Sequence, residues 1–349
     1  MRLDIHQLRN LRYASLCFDP HINLIIGPNA SGKTSLLEAI YLLGRAHSFR
    51  TTRSLDLIAH GSDRLMVSGK VLSEGREVSV GVGFQGNQRQ IKLDDRAIQA
   101  RTELLQVLPM QFIDPTLHAL FEDTPRSRRR FLDWGVFYAE PEFLPAWRRY
   151  QRALRQRNAV LRCGDLSAAK LWGQELLKYG KIIELCRARY LESLQSEFSR
   201  VSAWLGLGQE VELCYLPGRA GGKDLETALA DDLERDVRQG YTQSGPHRDD
   251  FMAYVARRPV CRLLSRGQMK LVTYALIFVQ LRSLGRPACL LIDDLMSELD
   301  FENQALLTEL IVQLKLQVFI TATRSEALTS LVSRVPRTFL VDRGIIKPV

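Results

Sequence analysis

Apolar and polar positions change period several times along the chain, and each change marks an element. Residues 3–26 alternate as strands do: Leu3, Ile5 and Leu8, then Tyr13 to Phe18, then INLII at 22–26, which stops at Gly27. Residues 64–93 predict an antiparallel meander, with Val78, Val80, Val82 and Phe84 on one face, a turn at Gly86 and Asn87, and Ile91 and Leu93 on the return. A short strand, MQFID at 110–114, follows. From Pro145 the period becomes helical, with Trp147, Tyr150, Leu154 and Leu161 on one face until CGD at 163–165 interrupts it. A longer helical stripe then runs to about Leu205 through Trp172, Leu176, Tyr179, Ile183, Cys186, Tyr190, Leu194, Phe198 and Val201. The two stripes predict an antiparallel hairpin whose shorter arm spans about 30 Å. After a segment rich in Gly and Asp at 217–250 come a helix at 267–283, a buried strand ACLLI, a helix at 302–314 and the strand VFIT. No internal repeat interrupts this order.

Composition narrows the class. The 349 residues are 46% hydrophobic and 25% charged, which excludes collagen-like, disordered and disulfide-scaffold chains and suggests two domains or one large lobed one. A membrane span needs about 20 apolar residues, and the longest uninterrupted apolar run is Tyr274 to Val279. The first residues carry no apolar signal core, and neighbouring cysteines are never closer than the pair Cys163 and Cys186. A cytoplasmic chain with free thiols and no zinc site is expected. A net charge of +9 favours a polyanionic partner, though its distribution matters more than its size.

The chemistry starts where INLII ends. GPNASGKT, comprising Gly27, Pro28, Asn29, Ala30, Ser31, Gly32, Lys33 and Thr34, matches G-x-x-x-x-G-K-[ST] between an apolar strand and the amphipathic helix SLLEAIYLL. Gly27 and Gly32 let backbone N–H groups turn toward phosphate oxygens, Lys33 places a charge on the outer phosphates, and the Thr34 hydroxyl can ligate Mg²⁺. Magnesium on a triphosphate needs a carboxylate at the end of a neighbouring buried strand, and ACLLIDD at 288–294 supplies it. Asp293 is the expected metal residue, and Asp294 is placed to polarise an attacking water. In LSRGQMK at 264–270, Ser265 and Gln268 have capping-box spacing and Gly267 leaves the helix end open. That end either simply caps a helix or receives a γ-phosphate.

The order of these motifs, closed by SELD at 297–300, resembles an ABC-type ATPase head. The resemblance implies that two heads sandwich ATP, with Ser265 contacting nucleotide on the partner's phosphate loop and Asp300 contacting the opposite loop. Gln111, after its strand, is the candidate for the metal-sensing glutamine, and Thr323 stands near the position where many such heads carry a histidine. The glutamate that usually follows the metal aspartate is replaced by Asp294. That carboxylate is one methylene shorter, which predicts slow hydrolysis. Two further stretches, DTPRSRRRFLDWGVFYAEPEFLPAW at 123–147 and GYTQSGPHRDDF at 240–251, resemble the signature regions of the RecF family of bacterial DNA replication and repair proteins. That resemblance covers nearly the whole chain. It implies ATP and Mg²⁺ as cofactors, an ATP-dependent homodimer, DNA at single-strand gaps or junctions as ligand, and RecO and RecR as partners in helping RecA load.

Charge distribution fits a DNA ligand. Ten arginines and no lysine lie between Arg126 and Arg162 against Asp133, Glu140 and Glu142, a net +7. Arg148, Arg152, Arg155 and Arg162 recur at helical spacing opposite the Trp147 stripe, a face that could follow a phosphate backbone or simply be solvated. Arg128 and Arg129 are candidates for the same contact, or for docking the lobe internally. His247, Arg248 and Asp249 read as a charged turn, whereas the family resemblance implies an interface or nucleotide-linked role for them.

The fold expected is α/β: a phosphate-loop ATPase head of ABC/SMC type with a mostly helical second lobe and a short antiparallel helical arm. The ATPase lobe is assigned to 1–115 and 287–349, and the helical lobe to 116–286. Two rivals share the motifs: the ATPase subunit of a membrane transporter, and a nucleotide-gated DNA clamp in which hydrolysis is incidental.

Overall fold

The alternating N-terminal residues form strands β1 (Arg2–Leu8), β2 (Leu11–Cys17) and β3 (Ile22–Ile26), and the phosphate-loop motif leads from β3 into helix α1 (Lys33–Arg45). The structure is a computed structural model that describes residues 1–113, 120–294, 301–323 and 336–349. The chain continues through β4 (Arg64–Ser73), β5 (Arg76–Gln85), β6 (Gln88–Leu93), β7 (Arg96–Ile98), α2 (Arg101–Val107) and β8 (Met110–Ile113). Next come α3 (Pro125–Ala139), α4 (Phe143–Arg162), α5 (Leu166–Trp204), β9 (Glu212–Leu216), α6 (Leu225–Asp231), α7 (Leu233–Gln239), β10 (Asp250–Val255), β11 (Arg258–Pro259), α8 (Val260–Leu263) and α9 (Arg266–Ser283). The chain finishes with β12 (Cys289–Ile292), α10 (Phe301–Gln313), β13 (Gln317–Ala322), β14 (Arg337–Asp342) and β15 (Ile345–Pro348). It divides into two units, Met1–Leu117 with Gly285–Val349, and His118–Leu284.

The first unit contains two sheets. One is antiparallel in the order β2-β1-β4-β5-β6-β7, and its inward positions, Leu3, Ile5, Val67, Val80 and Val82 among them, share a core with Leu36, Leu37, Ile40 and Leu43 of α1. Its outward positions are largely polar, as alternation requires when one face meets water. The β4–β5 hairpin turns on Glu74 and Gly75, both at positive φ (50° and 79°), the conformation that matches the twist of a two-residue hairpin.

The other sheet has the order β15-β14-β3-β13-β12-β8, parallel from β14 to β8 with β15 antiparallel at its edge. Leu290, Leu291, Ile292, Val318 and Phe319 are buried on both faces, which explains why these strands read as continuous apolar runs. Parallel pairing brings the C-terminal ends of β3, β13 and β12 to one edge, where ligands of open α/β sheets bind.

In the second unit α4 and α5 form the expected hairpin. Tyr150, Leu154 and Leu161 of α4 are buried, as are Leu176, Tyr179, Ile183, Cys186, Tyr190, Leu194, Phe198 and Val201 of α5. The Gly/Asp-rich segment is more ordered than its composition suggests. The Asp224 carboxylate accepts from Thr227 N at 2.9 Å to start α6, and Gly240 at φ 73° ends α7. Both helices are too short for an apolar period to reveal them. Strands β9 and β10 pair antiparallel.

Candidate nucleotide site

The phosphate loop is held from several directions. Ser31 O accepts from Asn10 Nδ2 at 3.0 Å and from Gly344 N at 2.8 Å, tying the loop to the β1–β2 and β14–β15 turns. Glycine is required at 27 for a local reason, because a Cβ there would lie 2.1 Å from Val341 O. At Gly32, with φ 121°, a Cβ would meet Asn10 Nδ2 at 2.9 Å. Ala30 also sits at positive φ, 63°.

Lys33 is buried, and its ammonium donates to Gly27 O at 2.8 Å and Pro28 O at 2.9 Å. Burial pushes its pKa down, while the carboxylates of Asp294 and Asp293 push it back up. Thr34 Oγ1 donates to Asp293 Oδ2 at 3.0 Å, although 259 residues separate them in sequence. Asp293 is anchored by its N–H to Ile113 O at 2.9 Å, and Asp294 follows at φ 51°. Thr321, which the sequence reading did not single out, donates from Oγ1 to Asp293 Oδ1 at 2.6 Å and accepts from Asp294 N at 2.8 Å.

These residues fit a magnesium triphosphate. The Thr34 hydroxyl gives its hydrogen to Asp293 and keeps its lone pairs for a cation. Among the described residues Ser31 Oγ, in the loop itself, is buried without a hydrogen-bond partner, as a group that waits for a ligand would be. Lys33 supplies a desolvated charge, so an anion here is attracted more strongly than at an exposed lysine. Bound Mg²⁺ would neutralise phosphate charge, with Thr34 and Asp293 as the residues to hold it.

In the second unit the signature segment starts α9 with a complete capping box. Ser265 Oγ accepts from Gln268 N at 3.3 Å, and Gln268 Oε1 accepts from Ser265 N at 3.0 Å. Ser265, Gly267 and Gln268 are exposed, so the helix end is open. The structure corrects the placement of Gln111. It lies inside β8, buried and paired with Leu290, not after its strand. That pair is three residues before Asp293, or about 10 Å down the sheet, too far for a glutamine to sense a metal there. Asp300 and the rest of SELD lie outside the described residues, whereas Thr323 is described and exposed.

The arginine cluster divides. Arg128 is corrected from a DNA candidate to an internal anchor: it is 4% exposed and forks onto Asp250 (Nε to Oδ1 2.7 Å, Nη2 to Oδ2 2.8 Å) while Nη1 donates to Leu120 O and Asp123 O. Arg129 donates to Asp249 O at 2.6 Å and is half-buried, so it too serves packing. Arg148, Arg152 and Arg155 are exposed along α4. Within the first unit, a cavity of about 600 Å³ is lined by Arg53, Arg89, Arg101 and His47, with no carboxylate among the described residues that line it. Burial and the positive charge of Arg101, Arg45 and Arg89 hold the His47 pKa below its usual value. No run of charge betrays this cavity in the sequence, because its residues come from the segment after α1, the β5–β6 hairpin and the start of α2.

The two signature stretches form one buried ionic network. Arg187 of α5 forks onto Asp133 of α3 (2.8 and 3.0 Å) and donates to Asp249 Oδ2 at 2.8 Å. Asp249 also accepts from Gly218 N at 2.7 Å and from the Tyr215 hydroxyl. His247 is held between the Tyr150 hydroxyl (2.7 Å) and Thr242 O (3.0 Å). His247 and Asp249 are therefore engaged inside the unit, whereas Arg248 beside them is exposed.

A family model described as the RecF/RecN/SMC N terminal domain matches residues 1–347. The DNA replication and repair protein RecF of Azotobacter vinelandii is 42% identical over 334 residues, covering 94% of this chain and 92% of that protein. RecF of Pseudomonas syringae pv. tomato is 39% identical over 335 residues, covering 94% and 91%. The solved structure of the recombination mediator protein RecF-ATPrS in the RecFOR pathway superposes with a TM-score of 0.87 at 26% identity, covering 100% of this chain and 97% of that one. An Smc head bound to the C-winged helix domain of ScpA shares the fold alone, with a TM-score of 0.61 at 17% identity over 100% of this chain and 96% of that one. Matched by the family model along nearly its whole length, and about two-fifths identical to RecF proteins over 94% of its residues, the chain belongs to the RecF family, with the ATPase head fold of the SMC proteins.

Proposed function

We propose that this chain is an ATP-dependent DNA-binding protein of replication and recombinational repair, a slow ATPase whose two copies engage head to head when ATP is bound. The observation that carries the reading is the convergence of Lys33, Thr34, Asp293 and Asp294 at one edge of a parallel sheet. It is supported by relatives named as DNA replication and repair proteins and by likeness to structures of RecF with ATP in the RecFOR pathway. In this reading Lys33 and the loop N–H groups hold the triphosphate, Thr34 and Asp293 hold Mg²⁺, and Asp294 polarises water. Ser265 and the open end of α9, with Asp300, meet the nucleotide of the other copy. The engaged pair clamps DNA at a gap or junction and releases it on hydrolysis, and RecO and RecR act with it to help RecA load. Membership of the RecF family removes the transporter reading, and among the described residues no helix is long and apolar enough to cross a membrane. A cytoplasmic setting follows from the same reading.

Sedimentation of the full chain with Mg²⁺, with and without ATP and a gapped duplex, tests it. An ATP-dependent dimer that carries the duplex is expected; a monomer under every condition would sink the reading. Salt titrations of DNA affinity then locate the phosphate contacts. Neutralising Arg148, Arg152 and Arg155 together, or Arg53, Arg89 and Arg101 together, should each lower the log–log salt slope by about 0.9 per lost contact. A set whose removal leaves the slope unchanged lies off the DNA path.

A further inference from the structure

We propose that Thr321 is a positioning residue of the nucleotide site, its buried hydroxyl fixing the Asp293 carboxylate and the Asp294 backbone at the end of β12. Strand β13 runs between β3, which delivers the phosphate loop, and β12, which delivers the aspartates. The register pairs Thr321 with Ile25 on one side and Ile320 with Ile292 on the other, so one step further Thr321 stands beside Asp293. The residue is completely buried, at 0% exposure.

A hydroxyl has one hydrogen to give, and here its direction is decided. The backbone N–H of Asp294 can only donate, so at 2.8 Å the Thr321 oxygen accepts from it. The Thr321 hydrogen goes to Asp293 Oδ1 at 2.6 Å, a charge-assisted bond. The two bonds restrain different things. The first restrains the backbone of Asp294 at φ 51°, a left-handed conformation that is uncommon for residues with a side chain, though Asp tolerates it better than most. The second engages Oδ1 of Asp293 and leaves Oδ2 as the nearer oxygen to the Thr34 hydroxyl, at 3.0 Å against 3.3 Å for Oδ1. Thr321 thereby orients the carboxylate that would share a cation with Thr34, and aims the backbone that carries the water-polarising carboxylate. A valine of the same shape would forfeit both bonds, and a serine would keep both.

The inference rests on reading Asp293 as part of the Mg²⁺ shell, and the experiment separates the two. A fluorescent ATP analogue is titrated into the wild type, Thr321→Val, Thr321→Ser and Asp293→Asn, in EDTA and in Mg²⁺, with thermal melts alongside. Thr321→Val should bind in EDTA as the wild type does but lose about tenfold or more of the gain from Mg²⁺, and Thr321→Ser should restore it. If Thr321→Val shows no cooperative melt, Thr321→Ala is read in its place with the same expectation. A full Mg²⁺ gain in the valine or alanine variant overturns the proposal. So does a serine variant that fails like valine, because methyl packing would then be the role. If Asp293→Asn loses the gain and Thr321→Val keeps it, only the Thr321 assignment falls; if Asp293→Asn keeps it, the metal reading beneath falls as well.

Discussion

Lys33 illustrates how a residue identified by motif acquires a second duty in the fold. Its ammonium bridges Gly27 O and Pro28 O inside the loop, so Lys33→Met removes the proposed phosphate ligand and also strips two carbonyls of a donor. ATP-dependent dimerisation should vanish in sedimentation, and the melt should drop by an amount equivalent to about 1 to 3 kcal/mol; wild-type dimerisation in the variant would refute the phosphate role. His247 makes a different residue-scale prediction. Thr242 O can only accept, so Nε2 carries the hydrogen and Nδ1 accepts from the Tyr150 hydroxyl, a neutral tautomer. Burial, with Arg248 and Arg129 nearby, lowers its pKa to about 4, while Thr242 O and Asp249 oppose the shift. The unfolded imidazole titrates near 6.5, so the unfolded state binds more protons between those values. Stability from this group is complete above pH 6.5 and is lost as pH falls toward 4, in total about 3 kcal/mol. Urea midpoints measured from pH 7.5 to 4.5 should fall more steeply for the wild type than for His247→Gln; parallel curves would show that another group carries the slope.

At the scale of the element, α4 shows what a helical period can and cannot reveal. Arg148, Arg152 and Arg155 occupy its outer face, whereas Arg157 falls in step with Tyr150, Leu154 and Leu161 on the inner one. Position alone therefore marks Arg157 as buried, but only the fold reveals its partners. Nη1 donates to Asp236 Oδ2 at 2.6 Å and to Thr242 Oγ1 at 2.8 Å, with both charged side chains almost fully enclosed. Removing one member of such a pair leaves an uncompensated charge, so Arg157→Ala should destabilise the protein by about 3 to 5 kcal/mol. Arg155→Ala, two residues away and exposed, should stay within about 0.5 kcal/mol. Denaturant melts that put the two variants level would contradict the burial argument. Helices α3 and α4 together explain why the net +7 overstated the basic surface. Charge per segment ignores which arginines turn inward, and Arg128, Arg129 and Arg157 are engaged in internal bonds.

At the scale of the molecule, turnover and assembly should come apart. Asp294→Asn keeps the size of the side chain and the backbone bond to Thr321 but removes the charge proposed to polarise water, so ATP hydrolysis should fall by roughly two to four orders of magnitude while the proposed ATP-dependent dimer persists. Unchanged turnover would move that role elsewhere, and a lost dimer would tie Asp294 to binding. How much of this was written in the chain depends on whether the information is local. The strand, GPNASGKT and amphipathic helix are contiguous, and so are ACLLIDD and the capping box at Ser265, so local pattern sufficed to name Lys33, Thr34, Asp293, Asp294 and the start of α9. The hairpin of α4 and α5 was legible for the same reason, since its stripes repeat over many turns. Thr321 was not, because β13 reaches Asp293 only through the register of two parallel strands whose pairing no local period encodes. The cavity of Arg53, Arg89 and Arg101 was hidden because three separate segments build it, and the sequence left Arg128 open between DNA contact and internal docking because its partner Asp250 is 122 residues away. Sequence determined which groups are present and which elements carry them. Tertiary structure decided which charges are neutralised and which carboxylate oxygen each hydroxyl meets, because burial and register depend on contacts between segments far apart in the chain.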